Sequence, residues 1–237
     1  MKTLRGFTVT ALLAVVAAAA ALLSEPPAAH AADFFAVPGV IEGQSPDTLG
    51  AWSVHYERVG GGDPGIAETI NGHIDDKANE LVQKATWDGS TRRPWTFDAN
   101  GTVRFTTAVS EIFVTQYDTA EPHMPMQSVA GLVLDPRTGN RITWDNLFVD
   151  KTAGLLALGN ATETAVASVA APEAVRDFKR RSEFAPIDIN FPAWVPTPAG
   201  IELHFPEFQF GRGLKVITVP WARVADQVRP EFATLMR

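Results

Sequence analysis

The 237-residue chain contains no cysteine. That excludes a disulfide-stapled miniprotein, a cysteine-ligated metal or iron–sulfur centre and a thiol nucleophile. Basic residues are outnumbered: 20 Lys and Arg stand against 27 Asp and Glu, a formal charge of −7. A nucleic-acid binder carries the opposite balance. Charged residues make up only 20% and apolar residues 46%, which is not the composition of a disordered chain. The sequence has no internal repeat and no low-complexity tract beyond its N-terminal segment. What is left is a globular domain, long enough to bury a core without covalent staples.

The first 31 residues differ from the rest. Lys2 and Arg5 precede an uncharged run, Val9 to Leu23, of Ala, Val, Leu and Thr. Such a run spans roughly 22 Å as a helix, short of the ~30 Å hydrocarbon core of a bilayer. Ser24-Glu25-Pro26-Pro27 ends it, and Ala29-His30-Ala31 fits the small-x-small rule for signal-peptidase cleavage after Ala31. The expected domains are a signal peptide over 1–31, a linker over 32–48 and one folded domain over 49–237. Removing Lys2, Arg5 and Glu25 with the leader shifts the charge from −7 to −8. An uncleaved membrane anchor is the alternative, and it is then the only membrane contact expected. The expected location is secreted or extracytoplasmic, at the cell envelope.

Pro38, Gly39, Gly43 and Pro46 mark the stretch read as a linker. Trp52, Val54 and Tyr56 alternate with Ser53, His55 and Glu57, the period of a half-buried strand. Asp63-Pro64 opens a helix, and Ile66, Ile70, Ile74, Ala78, Leu81, Val82 and Ala85 form its apolar stripe to about residue 86. Short strands follow, with Asn100-Gly101 read as a hairpin turn. A second helix is expected over about 153–171, with its glycines weakening it. The charged stretch 173–183 reads as a solvated helix end or loop, or as a docking patch. Strands are expected at 194–197, 201–205 and 214–219, with a short closing helix over 221–228. The fold class is α+β: an antiparallel or mixed sheet with two main helices packed on it.

No hydrolase motif is written locally. Gly43-Gln44-Ser45-Pro46-Asp47 approaches G-x-S-x-G but has Asp in place of the last glycine. His55, His73, His123 and His204 show no metal-ligand spacing, so no metal and no cofactor is expected. Asp75-Asp76 diverge by about 100° on a helix and read as solvation. Gly60-Gly61-Gly62 precedes a helix without the Lys and Ser or Thr of a phosphate loop. In Phe205-Pro206-Glu207-Phe208-Gln209-Phe210 aromatics are interleaved with other residues, as an exposed ridge or as core packing.

The segment Phe191 to Val224 resembles the RsiV-like domain family, which includes the ectodomain of a lysozyme-sensing anti-sigma factor and mycobacterial secreted immunogenic proteins. Gly200, Ile201, Leu203 and Phe205, then Gly213, Val216, Val219 and Pro220, match its two strand patterns. Gly139 to Phe148 resembles its I-T-[YF]-D-x-L-[FW] segment. The resemblance spans about 49–226. The cysteine pair of many secreted members is absent, the Phe205–Gly213 loop is shorter than usual, and of a Gly-Gly-x-His segment only His123 is kept. Residues 1–8 leave no room for a sigma-binding segment, so anti-sigma activity is not expected. The resemblance implies an α+β fold without a settled activity. The expected role is a binding or antigen-type domain for an extracytoplasmic protein or envelope ligand, with no nucleic acid. His123, Phe208, Phe210 and Arg212 are its candidate binding residues. A weak envelope carboxylesterase using a Ser with a His such as His123 is the second reading.

Overall fold

The computed structural model describes residues 31–121 and 124–237. The apolar leader, with Ala29, lies outside the described residues. Ala31 is buried in a short 3-10 turn, Ala31–Asp33. Among the described residues no helix is long and apolar enough to cross a membrane.

Six strands form one mixed sheet in chain order: β1 (Phe34–Gln44), β2 (Gly50–Gly61), β3 (Trp95–Phe105), β4 (Val109–Thr119), β5 (Met126–Leu134) and β6 (Arg141–Ile142). All neighbours are antiparallel except β2 and β3, which run parallel and are joined by α1 (Pro64–Asp88). Two helices, α2 (Trp144–Leu147) and α3 (Lys151–Ala167), and then α4 (Pro172–Arg180) follow. A three-stranded antiparallel sheet closes the chain: β7 (Ala193–Thr197), β8 (Gly200–Phe205) and β9 (Lys215–Val219). The α+β expectation holds.

The layers follow from side-chain parity. On α1, Asp63 caps the first turn by accepting from the amides of Gly65 and Ile66. Its stripe Ala67, Ile70, Ile74, Ala78, Leu81 and Ala85 is buried against the large sheet. The opposite face of that sheet meets the small sheet through Ile112, Val129, Ala193 and Val195. The far side of the small sheet, with Leu203 and Phe205, packs on α3 through Leu155 and Leu158. The order is therefore helix, sheet, sheet, helix. In α4, Val175 and Phe178 are buried while its charges face outward, the solvated reading of 173–183.

Two expectations fail for a shared reason. Residues 32–48 are no linker: β1 pairs with β2 along its whole length. A Cβ on Gly39 would lie 2.8 Å from the Tyr56 ring, and one on Gly43 would lie 2.5 Å from Trp52. These glycines make room for aromatic rings across the strand pair. Asn100-Gly101 is not a turn but the middle of β3. A Cβ on Gly101 would collide with Glu111 Oε1, so this glycine also serves a close approach. The chain turns instead at Thr106–Ala108.

β1 is an edge strand, with Phe35 and Val40 exposed. The amides of Glu57 and Val59 bond to side chains on the side away from β1. Their partners Pro38 and Ala36 therefore turn their own backbone groups to the open edge. Pro38 removes a donor from the centre of that edge, which blunts it against strand addition. Pro38→Val restores the donor. The variant is expected to sediment as a heavier species than the parent at equal concentration, and identical sedimentation would remove this role from Pro38.

Candidate functional site

Strands β2 and β3 pair from Gly50 with Trp95 to His55 with Asn100, and then part. Side chains take over the ladder. Glu57 N donates to Glu111 Oε1 at 3.1 Å, and Val103 N donates to Glu57 Oε2 at 2.7 Å. Asn71 of α1 accepts from Val59 N at 2.7 Å and donates to Val59 O at 2.9 Å. Glu111 is fully buried, and its Oε2 has no partner among the described residues. Burial pushes its carboxyl up to about 8, reinforced by nearby Glu57 and Asp75 and opposed by the Glu57 amide. At neutral pH this acid keeps its proton. Tyr56 donates to Asp75 at 3.0 Å, and burial together with that bond pushes its hydroxyl up to about 12. The cluster is a clamp on the fold.

A groove of about 440 Å3 opens further along, between the C-terminal half of α1 and strands β3–β5. Leu81 and Ala85 form the helical wall, Phe97 and Tyr117 the end wall, and Met124 and Met126 the open side. Thr115 and Ser128 stand opposite each other across β4 and β5 on its floor. Neither hydroxyl has a hydrogen-bond partner among the described residues, and Thr115 is only 7% exposed. Lys77 and Lys84 border the groove, each paired with an acid on the same helix, Glu80 at 3.0 Å and Asp88 at 2.6 Å. Three residues beyond Lys84, Trp87 is 90% exposed. Sequence reading missed Glu111 and Thr115. The signal was their parity: both share the β4 face that carries Val109, Phe113 and Tyr117.

The candidate residues taken from the sequence divide. His123 lies outside the described residues. Phe210 is no surface contact: it is buried among Phe178, Phe184 and Phe205, with centroids 4.8–5.4 Å away. Burial of three aromatics outweighs any gain from exposing one. Phe208 is exposed at φ 72° and held by its amide to Gly211 O at 2.8 Å. Arg212 is exposed, and its carbonyl accepts from Lys215. The loop is tied to the start of β5, because Glu207 N donates to Gln127 O at 3.2 Å. Phe208 and Arg212 thus belong to a loop fixed at the strand end that borders the groove, on the other face of the sheet.

Two Ser or His pairings bear on hydrolysis. Ser53 Oγ lies 3.1 Å from His55 Nε2 on the exposed face of β2, and Glu42 contacts the serine rather than the histidine. His204 Nε2 lies 2.8 Å from Glu202, which also binds Arg104. Burial holds His204 below its ordinary value despite that carboxylate. Among the described residues no serine bonds to His204, so neither pair forms a nucleophile, base and orienting acid.

No family model matches the sequence, and no curated protein does. Solved structures do. A DUF3298 family protein from Pseudomonas aeruginosa PAO1 superposes with a TM-score of 0.53 at 12% identity. A member of the same family from Bacteroides fragilis gives 0.55 at 11% identity. Each match covers 85% of this chain and 95% of the other. The chain has the fold of these DUF3298 structures. At this identity the likeness is one of fold.

Glu111 ties the clamp to pH. The folded carboxyl holds its proton to about pH 8, whereas the unfolded one releases it near 4.5. Its contribution is therefore full below about 4.5 and lost as pH rises toward 8. Glu111→Gln keeps the acceptor for Glu57 without the proton. Unfolding free energies from urea titrations between pH 5 and 8 are expected to fall less steeply in the variant, by up to about 1.4 kcal/mol per pH unit. Parallel profiles would assign the titration to another group.

Proposed function

We propose that the protein is a non-catalytic, extracytoplasmic binding domain of the RsiV-like type, exported by its N-terminal segment, with the groove beside α1 as its ligand site. The observation that carries this reading is the groove itself: largely apolar walls and, on its floor, two hydroxyls without partners among the described residues. Ligand sites combine an apolar lining with a few polar points of this kind. Export rests on the apolar run Val9–Leu23 and Ala29-His30-Ala31. The partner is an envelope molecule, and the Phe208 loop extends the same end of the sheet.

A weak carboxylesterase is the second reading, favoured by the Ser53–His55 contact alone. It lacks a carboxylate on the imidazole and a wall around the serine, which sits on an open strand face. The assay is hydrolysis of p-nitrophenyl butyrate by the mature chain, with a serine-reactive phosphonate and Ser53→Ala as controls. The expected result is no saturable turnover. Phosphonate-sensitive turnover lost in Ser53→Ala would sink the non-catalytic reading.

A further inference from the structure

We propose that the groove between α1 and β3–β5 binds a single-chain amphiphile with an uncharged, hydrogen-bonding head, such as a fatty alcohol, ester or amide. This rests on the groove being the ligand site and names the class of ligand. Three observations select it. The walls are apolar and include two methionines, whose unbranched side chains adapt to a flexible chain. The polar points are hydroxyls: Thr115, more than nine-tenths buried, and Ser128 directly across the strand pair, both without partners among the described residues. A hydroxyl both donates and accepts, so the pair matches a carbonyl or alcohol head. The third observation is the charge at the border. Lys77 is paired with Glu80 and Lys84 with Asp88, which leaves neither lysine as a free counter-ion for a charged head among the described residues. A carboxylate drawn onto the floor would lose its hydration without an ionic partner.

The volume, about 440 Å3, suits one chain and not an α-helix, whose diameter with side chains is about 10–12 Å. A peptide partner would also be expected to meet unpaired charge or an open sheet edge. Among the described residues the groove has neither, since Lys77 and Lys84 are paired with acids and β4 and β5 pair with each other along its floor.

The experiment uses the fluorescent neutral probe N-phenyl-1-naphthylamine, displaced by 1-dodecanol, dodecanoate or dodecyltrimethylammonium below their micelle concentrations. The probe is expected to bind the parent protein and to be lost in Ala130→Leu, which fills the groove. Ala85→Leu does the same from the helical wall, and thermal melts establish that each variant is folded. Dodecanol is expected to displace the probe at least tenfold better than either charged chain. Thr115→Val, which keeps the shape and removes the hydroxyl, is expected to weaken dodecanol about tenfold, the cost of one hydrogen bond. It should leave the charged chains unchanged. Equal or tighter displacement by dodecanoate or the ammonium, or no displacement by any chain, would overturn the proposed ligand class. Probe binding undiminished in both filled variants would overturn the groove as the site.

Discussion

The parting of β2 from β3 governs the rest of the structure. Six residues of parallel pairing bring the two strands together. Beyond His55 the backbone groups on the facing edges would be buried without partners, at a cost of about 1–3 kcal/mol each. Glu57, Asn71 and Glu111 supply those partners from three elements. Because Asn71 belongs to α1, the same bonds fix the helix on the sheet. Gly101 completes the arrangement by leaving room for the Glu111 carboxyl. A substitution at any of these four positions is therefore felt by strand pairing and helix docking together.

Fixing the N-terminal half of α1 at the parted strands determines where its C-terminal half lies. Ile70 and Ile74 are fully buried beside the clamp. From Lys77 to Asp88 the helix borders β3–β5 across the groove instead of closing on them. Only Leu81 and Ala85 of its apolar stripe remain to wall that space. The groove follows from a 25-residue helix laid on a twisted sheet and anchored near one end.

The parts legible in the sequence are those whose cause is local. Asp63-Pro64 and a three-four apolar spacing specify α1 without reference to anything else. Pro198-Ala199 between two alternating runs likewise marks the β7–β8 hairpin. The illegible parts depend on a neighbour. Gly39, Gly43 and Gly101 read as breakers until the facing Tyr56, Trp52 and Glu111 are known. Phe210 and Phe208 stand two residues apart in one loop, yet one is buried in an aromatic cluster and the other turns outward through a positive φ. No pattern in the sequence separates them. The C-terminal strands are legible in their own pattern, whereas the buried polar residues of the inner face of β4 carry no local motif.

That inner face joins the clamp to the proposed ligand groove. Glu111 and Thr115 lie four residues apart on it, both polar and both buried. Glu111 is sealed in the core, and its burial is offset by capping the Glu57 amide and by remaining protonated. Thr115 caps nothing. Valine at that position would fill the same volume without an unbonded hydroxyl, and larger residues at Ala85 and Ala130 would close the space above it. A sequence optimised for stability alone would close the groove in this way, because each change removes a void or an unpaired polar atom. Buried polar atoms without partners among the described residues also occur at Ser110 and Glu111, but only around Thr115 do they combine with small residues and methionines about an open groove, as the proposed ligand site requires.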